Sequence, residues 1–319
     1  MTTLSTPTSN IMNHHNSTSI FISPGEQTAT AIRGLCFLLG ISGNIAVVVF
    51  LLRHFKRDNF TLQLMLNLAA SDILSLLTLP VWMYSFLLGW TMGLASCKFF
   101  YFIAYTGIHV SVLTVTLMSV YRYVLVLHRS QWTKLGQRGE RALFAGVWVL
   151  AGVLAISPVI TVNIIEDEGK LHCEQVVRSE GEKVGVLLLE IMLLYVTPLT
   201  ILMTSYLCLH RKVSDRALSN FRLGKLVTCI IVTFIICSTP YTVVSVMMMA
   251  TPSQPVLVVR RLAYRGPRRA VQSIVFLNSC VNPFLYAFNF RSVRKEADKN
   301  VTETSNNVKD SSQTIATLS

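Results

Sequence analysis

The sequence predicts an all-α integral membrane protein, a bundle of seven membrane-spanning helices followed by a short amphipathic eighth helix. Three observations carry that prediction. Of the 319 residues, 52% are hydrophobic and only 14% charged, too apolar and charge-poor a balance for a soluble domain. Seven apolar runs, at 28–53, 62–88, 97–127, 142–162, 184–209, 223–250 and 269–288, each reach the roughly 20 residues needed to cross a hydrocarbon core. The lysines and arginines, finally, are asymmetric about those runs. Seventeen lie on the side of the first, third and fifth links and ten on the other, with Lys309 in the distal tail completing the 28. The richer side is cytoplasmic.

With an odd number of spans, that rule places the N-terminus outside the plasma membrane. Residues 1–27 then form an extracellular tail rich in Thr, Ser and Asn, without the basic and apolar regions of a cleavable signal peptide. Asn16 heads an Asn-Ser-Thr glycosylation triplet there, while Asn59 and Asn300 head others. Residues 28–288 are the transmembrane domain. Residues 289–299 form the amphipathic interfacial helix, with Phe290 and Val293 opposing Arg291, Arg294, Lys295 and Lys299. Residues 300–319 are polar and aromatic-free, a cytoplasmic tail expected to be disordered.

The net charge of +12 does not point to nucleic acid, because the basic residues are dispersed between apolar runs with no aromatic-basic patch. Half of the outer cations, Arg260, Arg261, Arg265, Arg268 and Arg269, sit in the loop before the seventh span. Guanidinium forks suit a carboxylate there; the acids of the second outer loop, among them Glu166, Asp167, Glu174 and Glu180, are the alternative partners. Cys97 and Cys173 lie on the oxidising side, outside the spans that hold the other cysteines. They are expected to pair, tying the third span to the second outer loop.

Asp72 is an acid at mid-membrane, costly unless partnered, and so a functional candidate. Ser111, Asn278, Ser279 and Asn282 supply oxygens for a hard monovalent cation beside it, or for a water-filled network. Pro198, Pro240 and Pro283 each remove a helical hydrogen bond and predict kinks. No nucleophile, metal-ligand cluster or Gly-rich phosphate loop argues for an enzyme. Nor does any internal repeat with broken helices argue for a transporter.

Taken in order, Asn44 after Gly43, Asp72 in Asn-Leu-Ala-Ala-Ser-Asp, Trp90 with Gly93, Cys97, Arg122-Tyr123, Trp148, Pro158, Cys173, Pro198 with Tyr206, Pro240, and Asn-Pro-x-x-Tyr at 282–286 form a family pattern. Over residues 28–299 the chain resembles the rhodopsin-like G-protein-coupled receptors. The resemblance implies a sodium ion as allosteric modulator at Asp72, Ser111, Asn278, Ser279 and Asn282, and no other cofactor. It implies that Arg122, Tyr123, Tyr206, Phe234, Pro240, Pro283 and Tyr286 serve as coupling and switch residues for a G protein, and that the tail meets receptor kinases and arrestin. Three departures stand out. Tyr121 occupies the place of the usual acid, with Asn220 no replacement; Ser238, in Cys237-Ser238-Thr239-Pro240, occupies that of a bulky aromatic; and no lysine in the seventh span is available for a retinal Schiff base.

Within that family the chain is most similar to chemoattractant receptors for leukotriene B4. The carriers are Glu190, eight residues before Pro198, Lys183 above it, Pro240-Tyr241, and Arg268, fourteen residues before Asn282. The similarity implies ligand contacts from Glu190, Arg268, Arg265, Arg269, Lys183, His109, Tyr101, Tyr105 and Tyr241; His109 and Glu190 paired with each other is the structural alternative. Tyr101 and His109 stand where the subfamily commonly has His and Tyr, and Val162 where it can have Arg. The expected function is reception of a lipid carboxylic-acid mediator, leukotriene B4 or a related eicosanoid, signalling through an inhibitory-class G protein in chemotaxis and inflammation. A non-signalling decoy and a receptor for a peptide chemoattractant are the competing readings.

Overall fold

The computed structural model describes residues 24–53, 59–167, 169–176, 179–213, 220–250 and 273–284. Apart from the break at 77–78 and Val162, which begins a strand, every predicted run is helical in the residues described, and several helices overrun the apolar stretch that predicted them. Polar residues in a first or last turn are compatible with a helix and simply stand outside the hydrocarbon. The first helix, α1 (Pro24–Arg53), opens on a proline, whose fixed φ suits a first turn. The second span is two helices, α2 (Phe60–Leu76) and α3 (Leu79–Leu88). Asn59 caps α2, its side chain accepting from the Leu62 N–H at 3.3 Å.

The break between α2 and α3 follows from Pro80, which has no N–H for the preceding turn. Thr78 lies at the break, its hydroxyl donating to the Ser75 carbonyl at 2.7 Å and accepting from Trp82 Nε1 at 3.2 Å. This break is absent from the kinks read off the sequence. The α3 helix ends on Gly89 at φ 83°, the left-handed region that glycine enters without strain. A Cβ at Gly89 would stand 3.3 Å from the Leu171 carbonyl oxygen, and Trp90 donates its N–H to that same oxygen at 2.6 Å.

The third span, α4 (Gly93–Leu127), is 35 residues long and packs on α2, on the fourth span and on the fifth. The fourth, α5 (Arg129–Thr161), bends at Gly136, φ 59°, below the apolar run, and carries Pro158. A β-hairpin follows where the sequence suggests only a charged loop: β1 (Val162–Asp167) and β2 (Lys170–Gln175), antiparallel, with Ile164 opposite Cys173. Cys173 is disulfide-bonded to Cys97 in the first turns of α4, as the sequence leads one to expect. The hairpin is thereby fastened over the outer end of the bundle, β1 against α4 and β2 against α3.

The fifth span comprises α6 (Glu180–Ile191), a single π turn (Met192–Val196) and α7 (Thr197–Val213). Ser179 caps α6 by accepting from the Glu182 N–H at 3.1 Å. Pro198 has no N–H to give the carbonyl four residues back, and the wider turn is how the helix absorbs the loss inside a membrane. The sixth and seventh spans are α8 (Asn220–Ala250), with Pro240 inside it, and α9 (Ser273–Phe284). Among the described residues five spans are long and apolar enough to cross a membrane unaided, Gln27–Arg53, Phe60–Leu88, Gly93–Leu127, Lys134–Thr161 and Val184–Leu209; Val232–Met247 and Ser273–Phe284 are shorter apolar helices.

Side chains sort into three layers. An inner-half apolar cluster joins Phe60, Leu64, Leu68, Val115, Met118, Tyr121, Leu202 and Phe234. An outer-half cluster joins Cys36, Leu76, Leu79, Trp82, Trp90, Phe276 and Cys280 with the disulfide. Asn44, Asp72, Ser75, Ser111, Ser279 and Asn282 lie buried between them. Outward, Leu38, Val149, Val153, Ile160 and Ile236 are more than half exposed or nearly so, a coat that lipid rather than water solvates.

Gly107 sets how closely α4 approaches α2 beside that polar layer. A Cβ there would lie 2.9 Å from the Ser75 amide nitrogen and 3.0 Å from the Ser71 carbonyl oxygen, and backbone cannot step aside as a side chain can. Gly107→Ala is therefore expected to cost about 1–3 kcal/mol by overpacking, read as a lower melting temperature of the detergent-solubilised protein. Gly146→Ala on α5, whose Cβ would meet nothing within 4 Å, should leave the melting temperature unchanged or slightly raised.

Candidate functional site

A cavity opens between the outer halves of the spans. Trp82 and Phe86 of α3, Tyr101, Tyr105 and Ile108 of α4, Ile191 and Leu194 of the fifth span, and Val275 and Phe276 of α9 make its wall largely apolar. Three polar marks break that wall. Glu190 of α6 is buried and accepts from the Tyr241 hydroxyl at 2.6 Å and from Gln175 Nε2 of the hairpin at 3.4 Å. Arg33 of α1, 5% exposed, donates from Nε to the Ser273 hydroxyl at 3.0 Å and lies over the Phe86 ring, 4.2 Å from its centre. Ser111, Asn278 and Ser279 form the floor together with Ser238.

That floor is the top of the polar layer. Asp72 is fully buried, and Asn282 Nδ2 donates to its Oδ2 at 2.8 Å. Ser111 and Ser279 stand beside the carboxylate, yet its Oδ1 and the Ser111 hydroxyl are buried with no well-formed hydrogen bond among the described residues. Asn44 Nδ2 spans from α1 to the Ser279 carbonyl at 3.0 Å, and Asn67 joins three helices, donating to Thr114 Oγ1 at 2.8 Å and accepting from Trp148 Nε1 at 2.9 Å. Among the described residues no three His, Cys, Asp or Glu side chains cluster as ligands of a metal ion.

Below, the inner half is aromatic. Tyr121 is buried edge-on between Phe60 and Trp132, with ring centres 5.0 and 4.7 Å away. Trp132 also packs on Phe60 at 4.9 Å and donates from Nε1 to Glu140 at 3.2 Å. Arg122, Tyr123 and Tyr206 are half-buried nearby. Phe234 stacks on Tyr195 of the π turn at 6.1 Å, and the Tyr195 hydroxyl lies 2.9 Å from that of Thr239.

The profile of the 7 transmembrane receptor (rhodopsin family) matches residues 43–286. The chain belongs to that family. It is 30% identical to leukotriene B4 receptor 1 of Homo sapiens over 268 residues, covering 81% of this chain and 76% of that receptor. It is similar also to G-protein coupled receptor E1 of equine herpesvirus 2, at 28% identity over 277 residues with 82% and 70% covered. Neuropeptides B/W receptor type 1 of Rattus norvegicus is 29% identical over 283 residues, with 83% of each chain covered. The protein is thus a multi-pass G-protein-coupled receptor of the plasma membrane, a class of ligand-binding transducers rather than enzymes.

In this receptor Glu190, Tyr241, Tyr101 and Tyr105 share the cavity wall. His109 does not line it: the ring is buried, with Nδ1 donating to the Tyr105 carbonyl at 2.6 Å. Glu190 is held by Tyr241 and Gln175. Asp72, Ser279 and Asn282 are brought together with Ser111, and Asn278 borders the same space. Pro283 lies buried against Gly43. Arg265, Arg268, Arg269, Tyr286, Asn16 and the amphipathic helix at 289–299 lie outside the described residues, as does the side chain of Lys183.

Sequence reasoning missed Arg33, counting it only as an outer cation, and missed Gln175 because the hairpin that delivers it was not foreseen. The signal for Arg33 was available: a lone guanidinium inside an apolar run is expensive unless it turns inward. Ser238, noted only as a lost aromatic, lines the floor and leaves the cavity open down to Ser111 and Ser279.

Tyr121 and Trp132 hold the start of α5 against α2 and α4 where the family usually places an acid. Each aromatic pair is worth about 0.5–1.5 kcal/mol beyond its buried area. Trp132→Ala should therefore loosen this inner link and reduce agonist-driven nucleotide exchange severalfold while agonist affinity measured without G protein stays within about twofold. Radioligand binding beside nucleotide exchange in the same membranes separates the two quantities.

Proposed function

We propose that the receptor binds a lipid carboxylic-acid mediator of the leukotriene B4 kind in the outer cavity and activates an inhibitory-class G protein. The observation that carries this is the Glu190 carboxylate, accepting from Tyr241 and Gln175 in a wall largely aromatic and aliphatic. An apolar cavity with few fixed polar groups suits a chain that is mostly hydrocarbon and bears hydroxyls at set positions. The similarity to leukotriene B4 receptor 1 supports the same reading. Arg265, Arg268, Arg269 and Lys183 add positive charge on the side where an acid arrives, favouring encounter. The agonist selects a state in which the inner part of α8 swings outward about Pro240, admitting the G protein beside Arg122, Tyr206 and Tyr286.

In a cell assay of G-protein dissociation, leukotriene B4 is expected to activate the wild type, and Glu190→Gln to raise the half-maximal concentration about tenfold or more, since the Tyr241 hydroxyl loses a charged acceptor. Activation in the same panel by a neuropeptide or chemokine and not by the lipid would replace this reading with the peptide one. Lipid binding without nucleotide exchange would instead establish a decoy.

We infer in addition that Asp72, Ser111, Asn278, Ser279 and Asn282 hold a sodium ion. The donor set supports this: one carboxylate, hydroxyls and amide oxygens, all hard, with Asp72 Oδ1 and Ser111 Oγ making no well-formed hydrogen bond among the described residues. The ion supplies positive charge to a carboxylate that is otherwise buried at a cost, and it favours the state whose polar layer is closed around it. Sodium should thus lower agonist affinity in the wild type, and Asp72→Asn should abolish that salt effect. Competition binding in sodium against an equal ionic strength of a bulky organic cation tests both. An extracellular N-terminus glycosylated at Asn16, and a tail phosphorylated for arrestin, complete the proposal.

A further inference from the structure

Arg33 is the one cavity-lining cation among the described residues. It stands on α1 and is fixed on both sides. Its Nε donates to Ser273 of α9 at 3.0 Å, and its guanidinium stacks over Phe86 of α3 with 4.2 Å between charge and ring centre. A hydrogen bond and a cation–π contact from two different helices define the plane of the fork. The side chain is 5% exposed, so its charge acts in a medium that screens little, and an anion brought beside it gains more than it would at a loop arginine. Across the same cavity the fixed acid is Glu190, held by Tyr241. Arg33 thus stands toward the first and seventh spans and Glu190 toward the fifth and sixth, with Glu174 of the hairpin a second acid on the wall.

We propose that Arg33 is the seat of the ligand's carboxylate. The acid end lies between α1, α3 and α9, and the hydroxyl-bearing part of the chain runs toward Glu190 and Tyr241. This rests on the lipid-acid reading above and adds to it the direction in which the ligand lies. The arginines before α9 then serve to attract the acid, and Arg33 to hold it.

The test uses the full-length receptor in membranes and two probes that differ only at the acid, leukotriene B4 and its methyl ester, each competed against a tracer in wild type, Arg33→Gln, Arg33→Lys and Arg268→Gln. The ratio of acid to ester affinity within one variant is independent of expression level. Wild type is expected to prefer the acid by about 10- to 100-fold, as for a hydrogen bond to a charged partner. Arg33→Gln should reduce that ratio to near one with ester affinity unchanged. Arg33→Lys, which keeps the charge and the fold but not the fork, should leave an intermediate ratio, and it serves if the glutamine variant does not reach the surface. Preference retained in both Arg33 variants and lost in Arg268→Gln overturns the assignment while sparing the lipid-acid reading. A wild type that binds neither probe overturns both.

Discussion

One buried carboxylate constrains most of this receptor. Asp72 sits fully enclosed between two apolar clusters, where a charge costs several kcal/mol unless other groups replace its water. The replacement comes from helices far apart in sequence: Asn282 from the seventh span donates to it, and Ser111 of the third and Ser279 of the seventh stand beside it. To bring those groups near, α4 must press onto α2, which the missing side chain of Gly107 permits. Likewise Gly40 admits Leu76 and Cys280, and Gly43 admits Pro283, so α1 closes on both neighbours. The glycines and the polar layer are two sides of one requirement, close helix approach around a costly group.

The same low-dielectric setting explains where the helices depart from regularity. No water is at hand in the hydrocarbon to satisfy backbone groups released at a proline, so the helix itself must yield. At Pro80 the span breaks, and the Thr78 hydroxyl fastens the break to the Ser75 carbonyl. At Pro198 a π turn opens, which also sets Tyr195 toward Thr239 of α8. Outside the hydrocarbon a different device serves. The hairpin pairs its own backbone and is anchored by the Cys97–Cys173 disulfide and by the Trp90 N–H on Leu171. It can then lower Gln175 into the cavity as a fixed rather than a wandering contact.

The number and order of spans were legible because hydropathy over twenty residues averages out every local irregularity, and Asp72 with Asn282 was legible because an acid in lipid has few affordable surroundings. What was not legible depended on rotation. Periodicity assigns a face to a helix but not its azimuth to a fraction of a turn, which is why His109 reads equally well as a cavity residue or a packed one; its ring turned to the Tyr105 carbonyl. Arg33 failed for the same reason, since a cation near a helix end can snorkel outward or fold inward, and only Ser273 and Phe86, remote in sequence, decide. The hairpin was hidden by its length: the six residues Val-Asn-Ile-Ile-Glu-Asp against the six Lys-Leu-His-Cys-Glu-Gln are too short for alternation to stand out from a charged loop.

Ser238 bears on how the outer cavity speaks to the inner end. Ser238 puts a small side chain on the floor beside Ser111 and Ser279, and the fifth and sixth spans offer a route around it. Tyr195 is placed for that. It lines the cavity, its hydroxyl meets Thr239, and its ring stacks on Phe234 in the inner cluster. Thr239 adjoins the hinge at Pro240, whereas Phe234 lies more than a turn below it, where a swing of α8 produces larger travel. In the outward swing proposed above, the hydroxyl contact would stretch little while the rings part, so the hydrogen bond would serve as the pivot and the stack as the latch.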